Sequence, residues 1–271
     1  MKVVCQVGLL PGGTPREKLD AAQRFGFDAV ELDGGELNDP AAFQVWRQAL
    51  RGHHMTATTI CGGIGNTFVS IEPSQRRQSM DELRRHQEMA AELGALGQVF
   101  TPIFRGENRM PDLRPYKSRY DLCRDLLRDL LPEIDAMAGR AGVTAFMEPL
   151  NRYESDVLNR LEQATALLEE VGARHTRVTA DFFHMHLEET NTAAAIRQAG
   201  KWIGHVHLAD GTRRQPGSAG IDFTAGFAAL RGVGFGGPMA LECGLTGPAE
   251  DVLGPCVAYL RKCLGTSGGG A

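Results

Sequence analysis

The sequence contains no long apolar run, no excess of basic residues and no closely paired cysteines. No stretch approaches the ~20 apolar residues that a membrane-spanning helix needs, and Pro11-Gly12-Gly13 interrupts the apolar N-terminus too early for a signal peptide. The formal net charge of -4 provides no basic field for nucleic acid or an anionic membrane. The 6 cysteines are scattered, as in proteins with reduced thiols. We therefore expect a cytoplasmic protein that binds neither nucleic acid nor membrane.

A glycine-rich phosphate turn is also missing after the first apolar run. The segment "GLLPGGTP" (8–15) does not fit the GxGxxG pattern of doubly wound dinucleotide-binding sheets. Instead, short apolar runs alternate with stretches of helical periodicity. The predicted strands are 2–9, 28–33, 55–61, 96–102, 143–148, 177–182, 203–208 and 238–243, and the predicted helices are 15–25, 40–51, 74–94, 118–140, 157–172, 191–199, 222–231 and 248–264. This number of strand–helix units is typical of a (β/α)8 TIM barrel, an α/β fold.

No linker-like segment divides the chain, so we predict a single domain. The length of 271 residues is one that α/β barrels commonly fill as one unit. We expect the barrel over 1–264 and a disordered, glycine-rich tail over 265–271. The segment 104–117 has no periodicity and follows the fourth strand. Its position and composition fit both a lid over a site and a solvated surface loop.

Acids and a histidine stand near the ends of the last four predicted strands. Alternate residues of a barrel strand face the lumen and the surrounding helices. The apolar Val206 and Leu208 suit the helix layer, so His205 and His207 should face the lumen. The same alternation directs the acid of the eighth strand inward. The four strand-end candidates are Glu148, Asp181, His207 and Glu242.

The C-terminal ends of the strands are where barrel enzymes place their chemistry. Any one of these acids alone could simply cap a loop, so the hypothesis depends on all four residues together. Three carboxylates at one lumen would repel each other strongly unless a cation neutralised them. Three carboxylate oxygens and an imidazole nitrogen, without a thiolate, suit Mn²⁺ best, with Mg²⁺ or Co²⁺ as alternatives. The sequence therefore predicts one divalent metal ion, with His205 as a core histidine one layer deeper.

Four segments together resemble a known group of enzymes. They are "MEPLNRYESDVLN" (147–159), "ADFFHMHLEE" (180–189), "GHVHLADGTRRQPG" (204–217) and "ALECG" (240–244). As a set they are similar to the xylose-isomerase-like barrels of the sugar isomerase/epimerase superfamily, and most similar to ketose 3-epimerases of the D-tagatose 3-epimerase type. The likeness covers the second half of the chain by motif and the first half only by its strand–helix alternation. The resemblance implies a small-molecule sugar substrate, and it allows a homo-oligomer.

The resemblance also implies a role for each matching residue. The implied metal ligands are Glu148, Asp181, His207 and Glu242, and the implied substrate-binding residues are Glu154, His184 and Arg213. Glu148 and Glu242 would also be the catalytic acid and base. One would remove the proton next to the carbonyl of a ketose or related keto-sugar, and the other would return a proton to the opposite face of the cis-enediolate. Arg214, the neighbour of Arg213, is predicted to be a solvated surface residue.

The same single-metal core leaves other reactions open. An aldose–ketose isomerase similar to hydroxypyruvate isomerase uses the same groups, and dehydratases of keto-inositols or 3-dehydroshikimate share the core. Endonuclease IV, a three-zinc relative, needs further ligands, but the third and fourth strands end in "CGG" (61–63) and "TPI" (101–103). A sugar-binding barrel without activity would have lost some ligands. Epimerisation is favoured because His207 stands where hydroxypyruvate isomerases usually carry glutamine.

The sequence departs from the family pattern in two ways that bear on the sugar. The segment "RRQPGSAGIDF" (213–223) lacks the glycine that many relatives carry two residues after Pro-Gly. The aromatic wall around the sugar tail is not traceable, because neither of the 2 tryptophans lies in a matching segment. Arg105, Arg109 and Arg114 could bind a phosphate or be solvated. The identity of the sugar and its phosphorylation therefore stay open.

Overall fold

The computed structural model describes residues 1–104 and 110–265. Within these residues, parallel strands close into a barrel in chain order, so the predicted TIM barrel is confirmed. The strands are β1 (Lys2–Gln6), β2 (Ala29–Asp33), β3 (Ala57–Cys61), β4 (Gly97–Phe100), β5 (Thr144–Met147), β6 (Thr176–Asp181), β7 (Ile203–Leu208) and β8 (Pro238–Leu241). Because β8 pairs with β1, the barrel has no open sheet edge.

Helices surround this barrel. They are α1 (Pro15–Phe25), α2 (Gly34–Leu37), α3 (Pro40–Arg51), α4 (Pro73–Leu93), α5 (Arg119–Ala141), α6 (Leu161–Glu170), α7 (Phe182–Glu188), α8 (Thr192–Ala199), α9 (Phe223–Gly232) and α10 (Ala249–Cys263). For example, α4 packs against β3 and β4, and α5 packs against β5 and β6. None of the helices in the described residues is long and apolar enough to cross a membrane. The predicted tail lies outside the described residues beyond Gly265, so its disorder stays a prediction.

Local signals in the sequence explain where the helices begin and end. At α1, the Thr14 side chain accepts a hydrogen bond from the Glu17 backbone, and the Glu17 side chain accepts one from the Thr14 backbone. Pro15 occupies the first helical position, where a missing N–H costs nothing. Gly26 ends the helix at φ 87°, a left-handed conformation that favours glycine.

Besides α2, which was not predicted, two helices in the second half of the chain differ from the prediction in ways that shape the C-terminal face. The helix predicted over 157–172 begins only at Leu161. Leu158 has a φ of 56°, and the Asn159 side chain donates hydrogen bonds to the Leu150 carbonyl oxygen at 2.7 Å and to that of Ser155 at 2.9 Å. The preceding residues therefore form a tight loop, which places the segment after β5 over the barrel mouth.

The short helix α7 was not predicted. Asp181 ends β6 and also caps α7, because its side chain accepts a hydrogen bond from the His184 backbone at 2.9 Å. The strand therefore passes into the helix without an intervening loop, and seven residues are too few to show a clear helical period.

The barrel lumen changes from apolar to polar along its axis. Val4, Ala29 and Ala240 form a small apolar layer of their own. Two residues after Ala29, β2 carries Glu31, and two residues after Ala240, Glu242 follows β8. The lumen is therefore polar at this level. Thr59 and His205 are fully buried at the same level as Glu31. The polar half of the lumen leads to the C-terminal ends of the strands.

Candidate active site

The four residues predicted from the strand ends lie together. Glu148 follows β5, Asp181 ends β6, His207 lies in β7 and Glu242 follows β8. One potential ligand atom from each of them lies within 4.8 Å of the others. Glu148, Asp181 and His207 are buried, and Glu242 is half-buried. These residues, hereafter the acid cluster, could hold one metal ion.

His207 is the centre of the acid cluster. Its Nδ1 atom lies 2.8 Å from Glu148 Oε1, 3.0 Å from Glu242 Oε2 and 3.9 Å from Asp181 Oδ2. Its Nε2 atom points the other way and lies 3.1 Å from Glu31 Oε1. The Nδ1 atom is therefore the nitrogen that a metal ion in the cluster would meet.

The acid cluster contains three carboxylates, which carry more negative charge than the basic groups next to them, His207 and Arg213, can balance. Burial opposes a charged imidazole, but the carboxylates of Glu242, Glu148 and Glu31 raise the pKa of His207 well above its ordinary range. Burial and the neighbouring carboxylates raise the pKa of Glu148 despite His207. Burial would also raise the pKa of Glu242, but His207 and Arg213 together lower it well below its ordinary value. A divalent cation would relieve this crowding of carboxylates, so the donor set fits a metal ion.

Arg213 lies over the acid cluster. Its guanidinium donates from Nη1 to Asp181 Oδ2 at 2.6 Å and from Nη2 to Glu242 Oε2 at 2.5 Å. Its Cζ atom lies 4.9 Å from the centre of the Phe183 ring. The two carboxylates raise the pKa of Arg213 above its ordinary value, although burial opposes this. By contrast, Arg214 is exposed and donates to the Leu245 carbonyl oxygen, in the surface position predicted for it.

The loop after β7 is held by Asp210, which sequence analysis missed. The Asp210 side chain is buried and accepts hydrogen bonds from six backbone N–H groups. These donors are Gly211, Gly217, Ser218, Ala219, Gly220 and Ile221. Burial would raise the pKa of Asp210, but these donors lower it overall. Arg213 belongs to this loop at φ 57°, so Asp210 helps to place the guanidinium. The only signal in the sequence was the Asp-Gly pair directly after the seventh strand.

His184 and Glu154 lie beside the cluster. His184 Nδ1 accepts hydrogen bonds from the side chain and backbone nitrogens of Asn151, at 2.8 and 3.2 Å. This pairing assigns the ring proton to Nε2, which lies 3.9 Å from Glu154 Oε2. Both side chains line a cavity of about 220 Å³. This first cavity is also bordered by Glu148, Arg213 and Glu242, so it brings the predicted substrate-binding residues together with the two glutamates.

Glu31 is the second residue that sequence analysis missed. It is fully buried on β2. Its Oε1 atom accepts from Gln6 Nε2 at 2.9 Å, and its Oε2 atom accepts from Thr59 Oγ1 at 2.5 Å and lies 2.8 Å from His205 Nε2. Although burial opposes its charge, His207 and His205 lower the pKa of Glu31 well below its ordinary value. The acid in "VELD" (30–33) was the available signal, but Glu31 stands inside its predicted strand and not at the strand end.

His205 lies behind the acid cluster. Its ring is fully buried, with its centre 4.7 Å from that of His207, and it is absent from the group of converging ligand atoms. Cys61 borders the cluster on another side, with Sγ 3.9 Å from Glu242 Oε1. Burial and the nearby carboxylates raise the pKa of Cys61 well above its ordinary value. The Cys61 Sγ atom also lies within 4.8 Å of potential ligand atoms of Glu31 and His207, on the opposite side of the His207 ring from the acid cluster.

Of the three arginines that could bind a phosphate, Arg114 lies in the described residues, and it does not line the cavity. Arg105 and Arg109 lie outside the described residues. Arg114 is exposed and pairs with Asp112, with Nε 2.9 Å from both carboxylate oxygens. Its charge is thus balanced on the surface.

Comparison with known proteins places this site in a family. The sequence pattern of the family described as "xylose isomerase-like TIM barrel" matches residues 19–263. The 3-dehydro-D-guloside 4-epimerase of Escherichia coli (strain K12) is 32% identical over 252 residues, which cover 91% of this chain and 94% of the relative. The ketose 3-epimerase of Arthrobacter globiformis is 29% identical over 84% of this chain and 76% of the relative.

Solved structures agree with this assignment. The E. coli 3-keto-D-glucoside 4-epimerase, without ligand, superposes with a TM-score of 0.86 at 30% identity and covers 97% of this chain and 100% of that chain. The D-psicose 3-epimerase of Clostridium cellulolyticum H10 has the same fold, with a TM-score of 0.80 at 18% identity, over 97% of this chain and 99% of that chain. The chain therefore belongs to the xylose isomerase-like TIM barrel family.

Proposed function

We propose that this protein is a metal-dependent epimerase of keto-sugars that inverts a carbon next to the keto group. The observation that carries the proposal is the acid cluster, in which Glu148 and Glu242 border a cavity of about 220 Å³ beside a buried imidazole. The named activities of the relatives support it, since a keto-glycoside 4-epimerase and a ketose 3-epimerase both act next to a keto group.

One divalent ion, with Mn²⁺ as the first choice and Mg²⁺ or Co²⁺ as alternatives, would be held by the acid cluster. The ligands would be Glu148, Asp181, His207 through Nδ1, and Glu242. The buried set of three carboxylates and one imidazole supports this assignment, because hard divalent ions prefer oxygen ligands and accept imidazole. When bound, the ion would polarise the substrate carbonyl and disperse the negative charge that develops there.

Glu148 and Glu242 would transfer the protons. They follow β5 and β8, which are not neighbours in the barrel, so the two carboxylates reach the first cavity from different sides. One glutamate would take the proton from the carbon next to the carbonyl, which leaves a cis-enediolate. The other would deliver a proton to the opposite face, so that the carbon is inverted.

Glu154, His184 and Arg213 would bind and orient the sugar. The Nε2 proton of His184 and the guanidinium of Arg213 are donors that suit an oxygen becoming negative, whereas Glu154 accepts from a hydroxyl. The hydrogen bond from Asn151 fixes the orientation of the His184 ring. Donors that are already in place cost no reorganisation during the reaction.

The reaction is tested by incubating the Mn²⁺-loaded protein with a panel of free ketoses, phosphorylated ketoses and 3-keto-hexosides. Product configuration is then measured by NMR spectroscopy. We expect inversion at the carbon next to the keto group. Exclusive movement of the carbonyl to the next carbon would instead identify an aldose–ketose isomerase, and loss of water would identify a dehydratase.

A further inference from the structure

A buried histidine lies outside the acid cluster and has no part in the proposed reaction. His86 belongs to α4, its side chain is fully buried, and it does not border the first cavity. Its Nδ1 atom lies 3.0 Å from Gln98 Oε1, and its Nε2 atom lies 2.9 Å from Asn38 Oδ1. The ring therefore stands between an amide of β4 and an amide that follows α2.

Both amide groups lead on to one short segment. Gln98 Nε2 donates to the carbonyl oxygen of Gly62 at 3.1 Å, and Asn38 Nδ2 donates to the carbonyl oxygen of Gly63 at 2.7 Å. Backbone carbonyl groups away from solvent need such partners. Two consecutive carbonyl groups of the loop after β3 thus find them in the two side chains that His86 contacts.

The same loop is pressed against the start of α2, with no room for side chains. Gly62 and Gly63 have φ angles of 73° and 76°, in the left-handed region that favours glycine. A Cβ atom on Gly63 would lie 2.1 Å from the carbonyl carbon of Gly34. One on Gly34 would lie 2.3 Å from the Gly62 carbonyl oxygen and 2.7 Å from His86 Cε1. The loop, the start of α2 and the edge of the histidine ring therefore form one close contact.

The segment held in this way is a wall of the first cavity. Cys61 and Gly62 border that cavity, as do Glu148 and Glu242. The Cys61 Sγ atom lies 3.9 Å from Glu242 Oε1. A shift of this wall would change the fit of the sugar next to the glutamates, and displacements of about 1 Å can slow an enzyme about 10²-fold. The contacts behind the wall therefore bear on the site in front of it.

We propose that His86 is a positioning residue, which holds this wall from behind through the two amide side chains. The proposal rests on the proposed function, because the wall borders the cavity assigned to the sugar. His86 itself is not part of the acid cluster and does not border the first cavity. A histidine that only filled space in the core would influence folding stability without changing the site.

The first test is steady-state kinetics of His86→Leu with the keto-sugar that the wild type converts best. Leucine fills much of the same space but cannot hydrogen-bond to either amide. We expect kcat/KM to fall about 10-fold or more, mainly through a higher KM, because the metal ligands and both glutamates remain while the wall loosens. The affinity for Mn²⁺ should not change.

The second test measures the wall directly and does not depend on turnover. Cys61 is a half-buried free thiol, and its alkylation by iodoacetamide is followed by mass spectrometry of the peptide that contains it. His86→Leu should raise the alkylation rate about 10-fold or more, because local opening of the segment exposes the thiol. Asn38→Ala should raise it as well. Asn38 is exposed, so this change removes the hydrogen bond to Gly63 without disturbing the core.

Gln87→Leu is the matched control. Gln87 is the next residue of α4 and is also buried, but its side-chain amide has no hydrogen-bond partner within the part of the chain that the structure describes. This control should leave KM and the alkylation rate of Cys61 at their wild-type values. His86→Gln keeps a donor near the position of Nε2 and should recover part of the loss through Asn38. Thermal melting shows whether each variant is folded.

Two results would overturn the positioning role and leave the epimerase intact. One is an unchanged KM in His86→Leu and Asn38→Ala, and the other is an alkylation rate that rises equally in Gln87→Leu. If His86→Leu does not fold, Asn38→Ala decides alone. A wild type that converts no keto-sugar overturns the proposed function instead, and the alkylation rate of Cys61 then decides whether His86 holds the wall.

Discussion

Glu31 lies directly behind His207, with Oε1 3.1 Å from Nε2, on the side of the ring that faces away from the acid cluster. A carboxylate in this position fixes the ring orientation and makes the opposite nitrogen a better metal ligand. The same carboxylate lies 2.8 Å from His205 Nε2, so both histidines of β7 lie next to Glu31 of β2. This contact connects the first half of the barrel to a site that the sequence predicted only from the second half.

Glu31→Gln should therefore weaken metal binding without removing a ligand. We expect the Mn²⁺ dissociation constant to rise about 10- to 100-fold, in line with other losses of a carboxylate behind a metal-binding histidine. Calorimetric titration of the metal-free protein measures this directly. Glu36→Gln, a change on α2 outside the lumen, is the control, and equal effects of the two changes would contradict the role of Glu31. His205→Gln should still bind the ion, because His205 is not in the acid cluster.

Arg213→Ala should lower kcat/KM by about 10²-fold or more, mainly through kcat, because it removes a donor that acts on the developing charge. Metal content should stay the same, since all four proposed ligands remain. Arg214→Ala should change little, because that side chain is exposed and contacts the Leu245 backbone. Steady-state kinetics of the two variants at saturating Mn²⁺ make the comparison. Similar behaviour of both would show that the guanidinium over the cluster has no role in turnover.

Asp210→Asn should destabilise the protein in a pH-dependent way. The pKa of Asp210 is lowered in the folded state, so its contribution is present above the ordinary carboxyl value of about 4 and is lost as pH falls through the lowered value. We expect a loss of about 2–4 kcal/mol in the free energy of unfolding at pH 7. The difference from wild type should shrink below about pH 4.

Urea unfolding of both proteins across this pH range measures the effect. Asp129→Asn, a change in an exposed carboxylate on α5, should cost little at any pH. A loss for Asp210→Asn that does not depend on pH would show that the charge on Asp210 is not what holds the loop.

Glu148→Gln and Glu242→Gln should each abolish turnover, but each removes a base and a ligand together. Asp181→Asn separates the two effects, because it removes a carboxylate ligand for which we propose no proton transfer. The new asparagine side chain can still cap α7. All three changes should weaken Mn²⁺ binding. At saturating Mn²⁺, Asp181→Asn should recover activity that exceeds that of either glutamine variant by about 10²-fold or more. Equal residual rates in all three variants would argue against separate acid–base roles for the glutamates.

The sequence predicted the barrel and the acid cluster because both depend on short-range patterns. Alternation of inward and outward residues was enough to direct His207 and Glu242 into the lumen, and each candidate stood at a strand end. The structure places His205 one layer deeper, as the alternation suggested, and Arg213 over the cluster, next to the residues with which the family resemblance grouped it.

The rest depended on contacts between distant parts of the chain. Glu31 contacts His207 only because the barrel closes, and the two are far apart in sequence. The Asp210 carboxylate holds its loop through backbone N–H groups. Almost every residue type has such a group, so the sequence of the loop gives little sign of these contacts. A further cavity, of about 250 Å³, is likewise formed at the ends of β1, β2 and β3 together with Glu242, a combination that no single segment reveals.

The central claim, proton transfer between two glutamates, is tested most directly by turnover in D2O. The Mn²⁺-loaded wild type is given a 3-keto-hexoside, and the product is examined by NMR spectroscopy and mass spectrometry. We predict one deuterium at the inverted carbon, because the glutamate that returns the proton exchanges with solvent before it does so. Complete inversion with no deuterium at that carbon would contradict the account.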